Sequence, residues 1–427
     1  MHKIYISLIL FLVLGLSLKA QQQLLLADAI AKGLDNNYSV KIVKNNQRIS
    51  EINNSWGAAG AYPYIDFSIE DNNAYNVVDG GDNYNRYTLS SGVSLCWTVF
   101  NGFAVRINKK RFEELEELSK QNTAVMIEST IQSIVLAYFD ALLQKDKLEV
   151  AKEVMKLSED RFVREEESRK LGSAVTYDVL QAKNAYLSDQ SSYLLQEVNY
   201  KNALRDLTFL MGEKGTEYFL ADSFEAKENV YELADLEAQM MANNKSLQNQ
   251  YVNQRLLENA IVMAKSAYSP SLALRAGANG SSIYTSTSDA WSKSANLYGA
   301  LTLNYNLFSG GSRKRAMAIA RIDEEIGTVE LEEKKHELSN SLANLYELFM
   351  VRKQLLAVAE DNLEAARLNL QISKEKFETG AINSFNYRDV QNIYLNASQY
   401  KLEAIYNYID THHALLRMVG SIVQYHE

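Results

Sequence analysis

Five landmarks recur along this chain at a nearly constant spacing, and a repeat of that length constrains the fold more than any compositional figure does. Pro63 and Pro270 are its only prolines and stand 270 − 63 = 207 residues apart. The same offset carries Ser39 of the segment 36–40 onto Ser246 of the segment 243–247. Further along, Phe100-Asn101-Gly102 maps onto Phe308-Ser309-Gly310 at 310 − 102 = 208, and Gly172 and Gly212 map onto Gly380 and Gly420 at the same distance. Register held over nearly the whole chain indicates an internal duplication. Two copies are too few for a solenoid, so each copy is one large unit.

One copy read in order shows what the unit contains. Residues 24–60 read as helical, and Pro63 opens an extended segment. From Tyr64 to Glu70 the residues alternate, with Ile65, Phe67 and Ile69 on one face and Asp66, Ser68 and Glu70 on the other. A Gly/Asn/Asp-rich loop (71–86) separates this strand from a second. There Tyr87, Leu89, Val93, Leu95, Trp97 and Val99 alternate with Thr88, Ser90, Ser94 and Thr98. The second copy repeats the pair near 271–279 and 296–308. A long helix follows each pair: residues 103–171 contain neither Gly nor Pro, and 312–379 contain only Gly327. Each spans about 100 Å at ~1.5 Å per residue. Gly172 and Gly380 break these helices, and return helices run to Gly212 and Gly420.

The long helices carry heptads. In the second copy Leu338, Leu342, Leu345, Phe349, Arg352, Leu356, Ala359, Leu363, Ala366, Leu370, Ser373 and Phe377 fall at steps of four and three, with Arg352 the one offender. The first copy offers Ile134, Ala137, Ala141, Leu148, Ala151, Met155, Ser158 and Phe162. A sustained 3.5-residue period predicts left-handed coiled-coil packing.

The strands have an apolar face opposite a small, polar one, which suits a barrel wall between lipid and water. A half-buried sheet in a soluble domain would alternate in the same way. Aromatic residues at the strand ends (Tyr62, Tyr64, Trp97, Phe100, Phe103, Trp291, Tyr305 and Phe308) favour the membrane, as an interfacial girdle. Four strands cannot close a barrel, and an open edge in lipid leaves backbone groups unsatisfied. The chain is therefore expected to oligomerise; a dimer would give eight strands and a trimer twelve.

The N-terminus is consistent with export. Lys3, an apolar run from Ile4 to Leu18 and Ala20 read as a signal peptide (1–20) rather than an anchor, the run being shorter than the ~20 residues a spanning helix needs. No cysteine lies near Ala20, which removes lipidation there, and the single Cys96 forms no intrachain disulfide. Beyond the signal no run of 18 apolar residues remains, and mean hydropathy is −0.26. A net charge of −9 argues against a nucleic-acid partner. No phosphate loop, Ser-His-Asp set or zinc motif is present, and the five histidines lack metal-ligand spacing, His412 and His413 being expected on different helix faces. No enzymatic activity, cofactor or metal is expected.

The duplicated unit, the prolines opening the strands, and Phe100-Asn101-Gly102 and Phe308-Ser309-Gly310-Gly311 closing them form an ordered set. With the turn segments 170–180 and 376–386, this set resembles the TolC-like outer-membrane efflux family over residues 21–427. The resemblance implies a mainly α fold with membrane β. Long coiled-coil helices would form a periplasmic α-barrel, and four strands per chain would contribute to a homotrimeric twelve-stranded outer-membrane β-barrel. It implies two repeats, 21–212 and 233–420, an equatorial linker at 213–232 and a tail at 421–427.

The implied function is a passive exit duct for an efflux or type I secretion system, opened by a periplasmic adaptor and an inner-membrane transporter. A structural envelope-spanning coiled coil without a pore is the alternative. On the resemblance, Leu171, Gly172, Ser173, Thr379, Gly380 and Ala381 would dock the adaptor, and Phe377, Asn386, Asp389 and Asp178 would form the periplasmic gate. Three Asp389 carboxylates at about 6 Å would repel by roughly 1–3 kcal/mol per pair and favour cations. Asn386 stands where many members carry a second acid, and Phe377 where a tyrosine is more usual. Tyr62, Trp97, Phe100, Phe103, Tyr305 and Phe308 would form the membrane girdle. The basic clusters at Arg106, Lys109, Lys110 and Arg111 and at Arg313, Lys314, Arg315 and Arg321 lie where they could meet lipid phosphates.

Overall fold

The computed structural model describes residues 22–214, 218–227 and 229–426, so the expected signal peptide lies outside the described residues. The chain divides into two compact units. One holds the residues up to Lys44, Thr123–Lys245 and Lys335 onward; the other holds Asn45–Asn122 and Ser246–Lys334.

The second of these carries one antiparallel sheet of β2 (Tyr64–Asn76), β3 (Tyr84–Asn101), β5 (Ser271–Thr285) and β6 (Ala290–Asn304), in the order β2-β3-β5-β6. The two hairpins of the duplication lie side by side, leaving β2 and β6 as edges. The strands are longer than the sequence suggests. β2 runs on through Asp71, Asn72 and Asn73 to Asn76, polar residues that interrupt the alternation before Tyr75 resumes it, so the first connecting loop shrinks to 77–83. The additional residue of the second copy falls inside its hairpin, since Tyr64 pairs with Cys96 and Ser271 with Asn304.

The helices of this unit are α2 (Tyr38–Asn53), α6 (Lys245–Ser266) and the first parts of α3 (Ala104–Lys170) and α7 (Ser312–Glu378). Gly102 and Phe103 turn β3 into α3 with φ of 66° and 67°. A Cβ on Gly102 would lie 2.4 Å from the Ser266 carbonyl, so no other residue fits there.

The other unit contains α1 (Leu26–Asn36), α4 (Thr176–Leu210), α5 (Leu233–Asn243), α8 (Ser384–Met418), α9 (Ile422–His426) and the remainder of α3 and α7. The paired copies match in length: α3 and α7 have 67 residues each, α4 and α8 have 35 each. All four end identically. At Gly172, Gly212, Gly380 and Gly420 φ lies between 69° and 79°. The amide after each glycine closes back on the last helical turn, as in Ser173 to Ser168 at 2.9 Å and Ala381 to Lys376 at 2.8 Å. A second repeated tie links Asn37 Nδ2 to the Leu210 carbonyl and Asn244 Nδ2 to the Met418 carbonyl, both at 2.8 Å.

The core of this unit gathers on α3 around Ile131, Ile134, Val135, Tyr138 and Leu142. α3 contains a window apolar enough by hydropathy to cross a membrane, 44% of it buried, although polar residues interrupt it. Two three-residue strands absent from the sequence reading, β1 (Gln22–Leu24) and β4 (Tyr218–Leu220), pair in parallel beside this core. Tyr138 ties them in, donating to the Leu24 carbonyl at 2.9 Å and to Asp222 at 2.6 Å, while Asp222 accepts from the Leu26 amide at the start of α1.

Candidate functional site

Strand register sorts the sheet into two chemically distinct faces. Ile65, Leu95, Ala276 and Gly299 stand in one row, and Phe67, Val93, Ala278 and Leu297 in the next. The edge strands hold their side chains open, Phe67 at 68% and Leu297 at 84% exposure, while Leu95 and Ala276 between them are half-buried. So large a contiguous apolar face marks contact with lipid or another apolar surface. The rows between are polar or small: Asp66, Ser94, Gly277 and Tyr298, then Ser68, Gly92, Asn279 and Asn296, then Glu70, Ser90, Ser281 and Ser294. Cys96 sits on this polar face beside Tyr64 and Arg275. Tyr298 lies across Gly277, whose missing side chain leaves room for its ring.

Aromatic residues stand at both ends of the apolar face. At the helix end, a bulge between Thr98 and Phe100 advances the alternation by one, so Phe100 pairs with Leu272 on the same face as Trp97. The Phe100 and Phe103 rings meet edge-on at 5.2 Å, and Trp97 Nε1 donates to the Ala61 carbonyl at 2.9 Å. Tyr62, Tyr305 and Phe308 are exposed at this end. At the loop end, Tyr284 lies 6.0 Å from Tyr87 and 5.5 Å from Trp291. Tyr87 and Tyr284 are absent from the sequence-derived girdle although they alternate correctly. Tyr87 and Trp97 are 97 − 87 = 10 residues apart on β3. That is about 33 Å along a strand and about 25 Å once tilted, the height of a barrel's apolar band.

In the other unit, the turns between α3 and α4 and between α7 and α8 leave Leu171, Gly172, Ser173, Thr379, Gly380 and Ala381 exposed. No atom lies within 4 Å of a Cβ built on Gly172 or Gly380, so their backbone angle alone calls for glycine. Asn383 caps α8 by accepting from the Asn386 amide at 2.9 Å. Asn386 and Asp389 are exposed, and Asp178 is half-buried in the first turn of α4. Phe377 points into the helix packing: its ring stacks on Tyr387 at 4.7 Å and 14°, and Arg164 lies 5.2 Å from its centroid. Val154, Leu370 and Tyr394 complete that cluster.

Beside it lies a buried charge cluster that sequence reading missed. Arg388 makes a bidentate pair with Asp189 at 2.6 and 2.8 Å, tying α8 to α4. Arg161 of α3 donates to the Ser384 carbonyl at 3.0 Å, and burial, with the like charge of Arg388 nearby, pushes its guanidinium down to about 10. The fully buried row here is Val154, Ser158, Arg161 and Glu165, one step from the expected Met155 and Phe162, which are only half-buried. Steps of four and three carry the signal, hidden because two members are charged. The second copy's seam is buried or half-buried throughout. Its Arg352 becomes a tie, donating to the Asn407 carbonyl at 2.7 Å and reaching Asp410 at 2.9 Å.

His412 and His413, expected on different faces, enter one aromatic cluster. Their rings meet at 5.1 Å, and each also touches Tyr425. The last helical turn and α9 fold together, bringing His426 against His413 at 5.3 Å. His412 Nε2 pairs with the Tyr231 hydroxyl at 2.7 Å. Burial pushes His412 down to about 3 and His426 to about 4, and lowers His413. Among the described residues no group of three or more His, Cys, Asp or Glu side chains could hold a metal ion.

The family model described as outer membrane efflux protein matches residues 30–213 and 236–421. No curated protein matches the chain. Among solved structures, CusC is similar at 15% identity with a TM-score of 0.76, covering 92% of each chain. A membrane protein from Pseudomonas aeruginosa is similar at 15% identity and a TM-score of 0.75, covering 92% of this chain and 93% of its own. The MtrE outer membrane channel of Neisseria gonorrhoeae, determined in its open state, shows 15% identity and a TM-score of 0.70 over 93% of this chain and 89% of its own.

Proposed function

The chain belongs to the outer membrane efflux protein family, and from that premise we propose that it is the exit duct of a tripartite efflux or type I secretion assembly. Its place is the outer membrane. Three copies close a twelve-stranded barrel, and their helices continue as a tunnel through the periplasm to an adaptor and an inner-membrane transporter. The repeats 21–212 and 233–420, joined by the linker 213–232, each supply one hairpin and one helical pair. The chain is a passive conduit, with the energised step in its partner.

The observation that carries this reading is the four-stranded sheet with unpaired edges at β2 and β6, apolar on one face and polar on the other. In lipid those edges need partners, and the polar face supplies a water-lined interior. The exposed turns at 171–173 and 379–381 are the adaptor-docking ends. Asp389 and Asn386 face the lumen there, with Asp178 alongside, and Phe377 packs behind them to hold α7 against α8. The lower aromatic girdle is Tyr62, Trp97, Phe100, Phe103, Tyr305 and Phe308.

Purified protein in planar bilayers tests this. Discrete conductance is expected, small at rest and larger when Asp189→Ala loosens α4 from α8. Asp389→Asn should weaken cation selectivity. A folded oligomer that never conducts would instead support a structural coiled coil without a pore.

A further inference from the structure

Directly below the sheet, α3 and α6 leave an open groove of about 500 Å³, lined by Ile107, Arg111, Leu115, Leu256, Asn259 and Met263. That volume falls within the range of about 300–1,000 Å³ typical of small-molecule sites. The lining is mostly apolar, and of its three polar side chains, Asn108, Arg111 and Asn259, the last two are in an unusual situation. Arg111 makes no ion pair or hydrogen bond among the described residues, whereas nearby cations are engaged: Lys109 with Asn54 and Glu113, and Arg255 with Glu114. Asn259 is 6% exposed, and its buried Nδ2 has no acceptor. A buried amide donor without an acceptor is unfavourable, so a ligand oxygen would be stabilised there.

We propose that this groove seats a phospholipid of the inner leaflet of the outer membrane, with an acyl chain on its apolar floor, its phosphate on Arg111 and an ester oxygen on Asn259. The level fits. Arg111 is 111 − 103 = 8 residues beyond Phe103, about 12 Å along the helix. A headgroup layer and a long guanidinium stem together cover that depth. Charge complementarity fits as well, since a guanidinium binds phosphate in bidentate fashion. Arg106 and Lys110 on the same turns add to the attraction for an anionic headgroup. The bound lipid would seal the junction between the lipid-facing sheet and the wet helices. The inference rests on the outer-membrane location alone and does not depend on gating or on the pump.

The full-length protein, delipidated in a non-ionic detergent, would be titrated with phosphatidylglycerol and, separately, with diacylglycerol of the same chains, and bound lipid counted by native mass spectrometry. One phosphatidylglycerol per chain is expected, with diacylglycerol much weaker. Arg111→Gln should lower phosphatidylglycerol affinity roughly tenfold, the value of one charge-assisted contact, and leave diacylglycerol unchanged. Ala260→Trp, which fills the groove, should abolish both. If Ala260→Trp does not fold, the Arg111→Gln comparison decides by itself. Equal affinity for the two lipids, or an unchanged affinity in folded Arg111→Gln, would overturn the site. Conductance recorded on the same preparations separates that failure from failure of the conduit reading.

Discussion

The two helical arms share a backbone plan and differ in what they bury. α3 with α4 and α7 with α8 have equal lengths, the same glycine ends and the same asparagine tie. Near its turn the first arm buries Ser158, Arg161, Glu165 and Asp189. The second buries Leu370, Phe377, Tyr387 and Tyr394. At the 208-residue offset, Asp189 corresponds to Ala397, Phe377 to Arg169 and His412 to Leu204. Duplication therefore preserved the parts that set length and reversal, where any change strains the backbone. Side chains were free to diverge wherever each arm meets a different neighbour. The charged arm holds the aromatic one through directional bonds, and the aromatic arm supplies buried area.

The histidines of the second copy set the largest expected difference. His412 has a folded pKa depressed to about 3 from 6.5. Its stabilising neutral form is fully present above pH 6.5, and the contribution is lost as pH falls toward 3. By pH 4 the loss should be about 3 kcal/mol. Thermal melts at pH 7 and pH 4 should show that drop in the wild type, and a smaller one in His412→Leu, which restores the first copy's residue.

Next comes the charge cluster. Asp189→Ala leaves Arg388 unpaired beside Arg161, with Glu165 the remaining acid near Arg161, and should cost about 3 kcal/mol in denaturant unfolding. The double change Asp189→Leu with Arg388→Leu should recover most of that, because the cost lies in the unpaired charge. Equal losses in the single and double variants would break the comparison.

The glycine ends separate backbone angle from crowding. Gly172→Ala and Gly380→Ala meet only a positive φ and should cost about 1 kcal/mol each. A Cβ on Gly212 or Gly420 would also sit 2.4 or 2.5 Å from the Asn36 or Asn243 carbonyl oxygen. Those substitutions should cost about 3 kcal/mol, the additional loss coming from overpacking. The paired copies should agree within each class.

Glu128 gives a pH effect with the opposite sign to the histidines. Its counterpart at 128 + 208 = 336 is the exposed His336. Burial pushes Glu128 up to about 7 against the pull of Lys245 and Arg417. A raised carboxyl adds stability below its unfolded pKa near 4.5, and that is lost as pH rises through 7. Glu128→Gln should therefore stabilise the protein by about 2 kcal/mol at pH 8 and do little at pH 4.

The parts of the fold legible in sequence are those where one chemistry repeats. The glycine reversals, the second copy's heptads and the alternating strands all follow from single-residue character at fixed spacing. The far end of β2 escaped because the polar run from Glu70 to Asn73 interrupts the alternation before Tyr75 resumes it. β1 and β4 escaped because three residues paired across nearly two hundred leave no local period. The charge cluster escaped for a related reason: Arg161 and Glu165 occupy seam positions, and their partners lie on other helices. At the candidate gate, the turns that the glycines mark in sequence are exposed, as is Asp389. Sequence could not show that the neighbouring Arg388 turns inward to Asp189 while Asp389 stays in solvent.

The unpaired edges β2 and β6 are expected to close on other copies of this chain into a ring of three. Cysteine cross-linking tests this closure most directly. In a Cys96→Ser background, Ser68→Cys on β2 would be combined in turn with Ser294→Cys, Asn296→Cys and Tyr298→Cys on β6, in the outer membrane. At least one pair should give a denaturing-gel ladder that stops at three chains. A ladder stopping at two chains, or no inter-chain bond from any pair in folded protein, would contradict it.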